Sequence, residues 1–445
     1  LLSSTLMAHQ TPESYITLGT LKAQKEEFED AKEFFIKALR IDNNNSKAYC
    51  FLANIQTELK EFDEAKKNFE IALEMTPHNP DVLTNIGVSL VRQQKYKEAR
   101  EKFEQAYKIN KGNLMPLHFL AMVDLEEGKI ENAKEKFEFL DSNLPNNHET
   151  LYYLAYVNYK QKKYEESLSF ALKSLLLFPK KLETYMLIAE NFMNLGKKEE
   201  CLKYYEEGLQ ELEPSYYYLI SWGVSLQEFN EHQKAKEKFL QTIELNPQND
   251  MGYSLLGISC HKLNKTDEAI ENLQKALEIN PKNIQALDCS GMIYQEKKDY
   301  TKALDYFFNI LKVSAKEPET FGKIAETYNL LGNIEQAKEY FNKSIEYQSK
   351  NQKAFIEYSL FLIEHQNYEL ALKKLQTANK LDETSLDCVN LMFYTNYLLA
   401  KENNSDYNME RAMQIAQQIE KDYPDQFKYV KEKQDLETIA NSKKQ

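Results

Sequence analysis

Every 34 residues a small side chain returns to the same place: Ala31, Ala65, Ala99, Ala133, Ser167, Cys201, Ala235, Ala269, Ala303, Ala337 and Ala371. The register holds over eleven positions without a slip. A second small series precedes it by 12 residues, from Gly19, Ala53 and Gly87 through Gly223, Gly257 and Gly291 to Ala325 and Ser359. A bulky series follows it by four, with Phe35, Phe69, Phe103, Phe137, Tyr205, Phe239, Leu273, Phe307, Phe341 and Leu375. Two amphipathic helices per unit account for this pattern. A small residue at the crossing lets the backbones approach, and a large side chain one turn further along the same face fills the space beside it. Proline follows where a second helix has ended, at Pro77, Pro145, Pro179, Pro247 and Pro281. A single hairpin cannot cover its own apolar face, so its neighbours must cover it, which is why the pattern recurs.

This spacing resembles the tetratricopeptide repeat, whose pattern has small residues near positions 8 and 20, an aromatic near 24 and Pro near 32. Residues 250–283 carry it with Tyr253, Leu256, Gly257, Ala269, Ala276 and Pro281. The resemblance implies an all-α fold, a right-handed superhelical solenoid of antiparallel helix pairs. Residues 1–11 are a poorly defined lead, and residues 12–385 form eleven 34-residue units. Residues 386–426 read as a divergent twelfth unit, with Ala412 falling 41 residues after Ala371 and the polar stretch 401–408 as a loop insertion. Residues 427–445 read as a polar capping helix and tail. Some units depart from the pattern. Ala171 stands where a ring is expected, with Ser167 at the small position, and Lys198 and Thr266 replace the usual Tyr or Phe at the turn.

Positions 2, 5, 9 and 12 of each first helix share one side, since they are three or four residues apart. By the resemblance, that side is the concave face. In the middle of the array it is rich in Met, Tyr and aliphatic groups: Met115, Met122, Tyr152, Tyr156, Tyr159, Met186, Met193, Tyr217 and Ile220, with Phe119 and Tyr153 beside them at position 6. Flanking units are more polar. Tyrosine offers area with a polar tip and methionine repacks around varied shapes, so the strip suits an apolar peptide or one face of an amphipathic helix. Two plainer readings stand beside it. The chain is rich in Tyr, and a tightly wound array could bury the strip against itself.

Other chemistries find little support. Tetratricopeptide modules that hold a chaperone carboxylate use Lys and Arg clamps. Here Asn54 and Asn85 match in spacing, but Cys50, Met115 and Phe119 stand where the cations belong. An asparagine ladder like that of sugar-transferring relatives is reduced to Asn85. The seven histidines form no zinc motif, no phosphate-cradling loop occurs, and no metal or other cofactor is expected. A net charge of −13 disfavours nucleic acid. The five cysteines are odd in number and lack a CxxC pair, which points to a reduced, cytoplasmic compartment. No apolar run is long enough to span a membrane. The expectation is a non-enzymatic scaffold or adaptor that binds protein or peptide partners, as in a multiprotein complex. The alternative is the repeat arm of a larger enzyme, for example a glycosyltransferase, with its catalytic domain outside this chain. The absence of an initiator Met motivates that alternative. A self-assembling array that pairs through its second helices is the third reading.

Overall fold

The computed structural model describes residues 11–210, 212–315 and 317–444. The expected lead segment lies, but for Thr11, outside these residues. Two compact units divide the chain, Leu1–Pro214 and Ser215–Gln445. The first unit contains α1 (Pro12–Ala23), α2 (Phe28–Ile41), α3 (Ser46–Glu58), α4 (Phe62–Met75), α5 (Pro80–Arg92), α6 (Tyr96–Ile109), α7 (Met115–Glu126), α8 (Ile130–Asn143), α9 (His148–Lys160), α10 (Tyr164–Leu177), α11 (Leu182–Asn194) and α12 (Lys198–Gly208). The second unit contains α13 (Tyr216–Glu228), α14 (His232–Leu245), α15 (Asp250–Lys262), α16 (Thr266–Ile279), α17 (Ile284–Glu296), α18 (Tyr300–Val313), α19 (Pro318–Leu330), α20 (Ile334–Tyr347), α21 (Gln352–Glu364), α22 (Tyr368–Leu381), α23 (Leu386–Asn403), α24 (Asp406–Asp422) and α25 (Val430–Lys444). Odd-numbered helices up to α23 are the first helix of a pair, here helix A. Even-numbered ones are helix B. No strand occurs among the described residues.

Local chemistry sets each boundary. Helix A often begins behind an Asn or Ser whose side chain accepts a backbone N–H, as Asn45 does from Ala48, Asn147 from Thr150 and Asn283 from Ala286. It ends at a residue in the left-handed region, such as Lys60, Gln94 or Gly128. The N–H of Glu61 then reaches the carbonyl of Gln56, closing the helix end. Acidic residues open many B helices, for example Asp63 and Glu64 on α4, where they oppose the positive end of the helix dipole. Lys198 and Thr266 begin α12 and α16 just as a ring does elsewhere, so the start does not depend on an aromatic.

The two small series lie where the helices of a pair cross. A Cβ built on Gly87 would stand 2.4 Å from the Phe103 ring, and one on Gly291 2.5 Å from Phe307. Glycine there lets helix A rest directly on the ring carried by helix B. Ala99 and Phe103, Ala133 and Phe137, and Ala303 and Phe307 are all fully buried. Each such ring contributes roughly 1.5–3 kcal/mol by leaving water. The next pair then covers the ring. Phe51 packs on Phe35 at 5.6 Å, Phe119 stacks on Phe103 at 5.2 Å, and Tyr153 stacks on Phe137 at 5.1 Å.

Where Ser167 and Ala171 replace the usual pair, a polar link takes over. Ser167 Oγ donates to the Ala155 carbonyl at 2.7 Å and accepts from Asn191 Nδ2 at 2.9 Å, joining α9, α10 and α11.

The expected loop at 401–408 is not a loop. Helix α23 runs through Asn403, and only Asn404 and Ser405 separate it from α24. Helix A of this pair has 18 residues against 13 in α21, and helix B has 17 against 14 in α22. Longer helices thus absorb the insertion. Ser405 caps the second of them by accepting from the Asn408 N–H. After Pro424 the chain returns over the last pair. Phe427 meets Phe393 edge-on at 4.8 Å, Tyr429 stacks on Tyr394 at 4.7 Å, and Leu436 of α25 is buried.

All five cysteines are buried and none forms a disulfide. Burial pushes the Cys260 and Cys388 thiols up to about 11, so neither is a nucleophile at neutral pH. Among the described residues no helix is long and apolar enough to cross a membrane, and no cluster of His, Cys, Asp and Glu could hold a metal ion.

Candidate partner-binding face

Helix A presents its positions 5, 6, 9, 12 and 13 to one face, because that spacing winds around a single side of the helix. In the first unit this face holds an open cleft of about 390 Å³. Met122 and Leu125 of α7 form one wall, Tyr152, Tyr153 and Tyr156 of α9 form the other, and Lys160 stands at the rim. Tyr153 is wedged in place. It stacks on Phe137, meets the His118 ring edge-on at 5.4 Å and meets Tyr152 edge-on at 5.3 Å. Burial lowers the pKa of His118, which keeps that ring neutral inside the cluster.

Two lysines lie over the tyrosine rings. Lys181 Nζ is 3.9 Å from the Tyr152 centroid and 5.7 Å from that of Tyr153. Lys160 Nζ is 5.0 Å from the Tyr156 centroid. Burial raises the Tyr152 phenol, with smaller contributions from Tyr153 and Glu183, and burial lowers the ammonium of Lys181. Tyr159 is pushed up to about 12, first by burial and then by Glu190, and its ring meets Tyr164 edge-on at 5.9 Å. The Tyr152, Tyr153 and Tyr159 rings are neutral hydrogen-bonding surfaces over the whole physiological range.

The residues singled out from sequence therefore separate into groups. Met122, Tyr152, Tyr153 and Tyr156 come together in the cleft. Phe119 is half-buried against Phe103 and His118, so it supports the wall. Met115 is 59% exposed at the start of α7. Met186, Met193 and Tyr159 are half-buried. Tyr217 and Ile220 belong to the second unit. Tyr217 is 64% exposed beside Tyr216, whereas Ile220 is only 8% exposed and is a core residue, because position 5 of α13 turns inward. Ile220 therefore cannot anchor a partner as expected.

Sequence reasoning missed Lys181, whose position in most other units holds an Asn or Ser cap. It also missed a cleft of about 510 Å³ on the helix-A face of the second unit, between α19 and α21. The signal for that one was legible: Gly322 at position 5, with Glu326 and Glu357 beside it. Asn85, one of the two asparagines matching the chaperone clamp in spacing, donates to Cys50 Sγ at 3.2 Å.

Helical hairpins in fixed register, each covered by the next and each presenting the same face of its first helix, define an all-α repeat scaffold. The chain belongs to the tetratricopeptide repeat family. Models described as tetratricopeptide repeat match residues 12–45, 46–79, 182–211 and 318–351 and residues 251–283. The model for the second ARM domain of tetratricopeptide repeat protein 21 matches residues 69–186. Among solved structures, yeast Tom70 is similar at 15% identity and a TM-score of 0.49, over 91% of this chain and 99% of that one. A tetratricopeptide repeat protein from Parabacteroides merdae is similar at 15% identity and a TM-score of 0.47, over 56% of this chain and 99% of that one. No curated protein matches the chain. As a class, tetratricopeptide arrays are protein-interaction scaffolds.

Proposed function

We propose that this chain holds an extended or helical segment of a partner protein against the helix-A face of its first unit. The observation that carries this reading is the open tyrosine and methionine cleft formed by Met122, Leu125, Tyr152, Tyr153 and Tyr156. A cleft lined by apolar and aromatic side chains with a few polar tips is a form that takes a ligand. Rigid tyrosines lose little conformational entropy on binding, and Met122 adapts to the shape presented. Half-buried Met186 and Met193 on α11 extend the same face. The acidic net charge favours a protein partner over a nucleic acid.

The test is to select binders from a displayed library of random peptides on the wild-type chain. They are then measured on the variant Met122→Ser/Tyr152→Ser/Tyr156→Ser. The expected result is a family of peptides rich in apolar residues, whose affinity falls by about a hundredfold or more on the variant while its helical circular dichroism is kept. Selected peptides that bind wild type and variant equally would refute the cleft as the site.

A further inference from the structure

The cleft of the second unit has a different chemistry from the first. Every other unit places a side chain at position 5 of helix A, from Thr84 to Tyr152, but α19 has Gly322 there. A Cβ on that residue would come within 3.3 Å of Glu357 Oε2. The missing side chain therefore opens the space into which Glu357 reaches from α21. Ala354 and Phe361 give the resulting cleft apolar walls, and Leu360 lies in it 47% exposed.

Four carboxylates line it: Glu319, Glu326, Glu357 and Glu364. The cations that face them are few. Lys323 is already paired with Asp288 of α17. Lys353 is on the rim with its Nζ 3.7 Å from Glu357, and its side chain is 82% exposed. Asn329 Nδ2 donates to Glu364 at 2.9 Å, which orients that carboxylate without neutralising it. Burial raises the Glu357 carboxyl, Lys353 offsets part of that rise, and Glu326 and Glu319 add to it. A carboxylate held partly out of water beside others of its own sign is relieved by an incoming cation.

We propose that the cleft between α19 and α21 seats a basic, amphipathic segment of a partner protein. A Lys or Arg side chain sits among Glu326, Glu357 and Glu364, and a neighbouring apolar side chain lies on Leu360. Charge complementarity selects this occupant. A guanidinium can pair with two carboxylates at once, and an apolar residue one helical turn away covers the exposed wall. The site is separate from the tyrosine cleft and does not depend on it.

The experiment uses the full chain and a fluorescein-labelled peptide of about a dozen residues alternating Leu with Lys and Arg, read by anisotropy. Its counterpart with Glu in place of the cations is the control. The variant Glu326→Gln/Glu357→Gln/Glu364→Gln keeps the shape of the cleft and is expected to weaken binding about tenfold or more. The variant Glu335→Gln/Glu339→Gln/Glu346→Gln removes the same formal charge from exposed positions of α20 and is expected to change binding less than about threefold. Gly322→Leu, which fills the cleft at unchanged charge, is expected to lose binding as the first variant does. Met122→Ser/Tyr152→Ser/Tyr156→Ser is expected to leave it unchanged. Equal losses in the α20 variant and the cleft variant would reduce the effect to general electrostatics and overturn the site. So would full binding by Gly322→Leu, loss of binding in the tyrosine variant, or spermine binding as tightly as the peptide.

Discussion

At the residue scale, Lys181 carries the clearest trade between stability and binding. It occupies the N-cap of α11, and its side chain makes no capping hydrogen bond there. Its ammonium lies on Tyr152 instead. An Asn at such a position is worth about 1 kcal/mol over Ala, and a cation over an aromatic ring about 0.5–1 kcal/mol. The two terms nearly offset each other. Lys181→Asn should therefore stay within about 0.5 kcal/mol of wild type. Lys181→Ala, which loses the ring contact and gains no cap, should fall about 1 kcal/mol below Lys181→Asn. Urea unfolding monitored by circular dichroism measures both, and an asparagine variant no more stable than the alanine variant would contradict the capping account. The pattern of small and large residues made each helix pair legible beforehand. Lys181 was not legible, because a lysine in a connection carries no sign of where its flexible stem will lie. Ile220 misled for a related reason. Position 5 of helix A sits at the edge of the buried face, so its neighbours decide whether it turns outward like Tyr152 or inward as here.

At the element scale, consecutive helices are tied by polar contacts as well as by rings. Asp124 of α7 is fully buried, with Oδ1 2.7 Å from Arg100 of α6 and Oδ2 2.6 Å from Lys136 of α8. Three helices meet on one carboxylate. Glu127 also takes Arg100, at 2.6 Å, but nearer the surface. Breaking a buried pair costs about 3 kcal/mol or more, and a pair nearer the surface, better screened by water, contributes less. Asp124→Asn should accordingly lower the unfolding midpoint of the chain far more than Glu127→Gln does. Equal effects in denaturant titrations would mean that the buried carboxylate does not tie these helices together. Helix existence and pairing were readable from the 34-residue period, but two elements show its limit. The polar run 401–408 has the composition of a loop, yet its length suits one more turn on α23 and nearly one on α24, and Ser405 supplies the new cap. The Ser167 and Ala171 exchange reads as drift until Asn191 is placed beside it, one helix further on. Sequence spacing shows which residues share a helix face, and only the fold shows what they meet there.

At the scale of the whole molecule, one architectural rule produces two surfaces of different chemistry. In each unit the B helices carry the rings of the core, and the A helices rest on those rings with one face left over. Because each pair is stabilised chiefly by its neighbours, residues on that remaining face are released from packing and can vary. The first unit puts Met122, Tyr152 and Tyr156 there, and the second puts Glu326, Glu357 and Glu364 there. On the function proposed above, binding resides on helix A and not on the outer face of helix B. Site-directed photocrosslinking in the native cell tests it most directly. A benzophenone amino acid is placed at Tyr156 on α9, at Leu360 on α21, or at Glu101 on the exposed side of α6. Discrete crosslinked adducts are expected from the Tyr156 and Leu360 positions and none from Glu101. Adducts confined to Glu101, or equal adducts from all three positions, would contradict it.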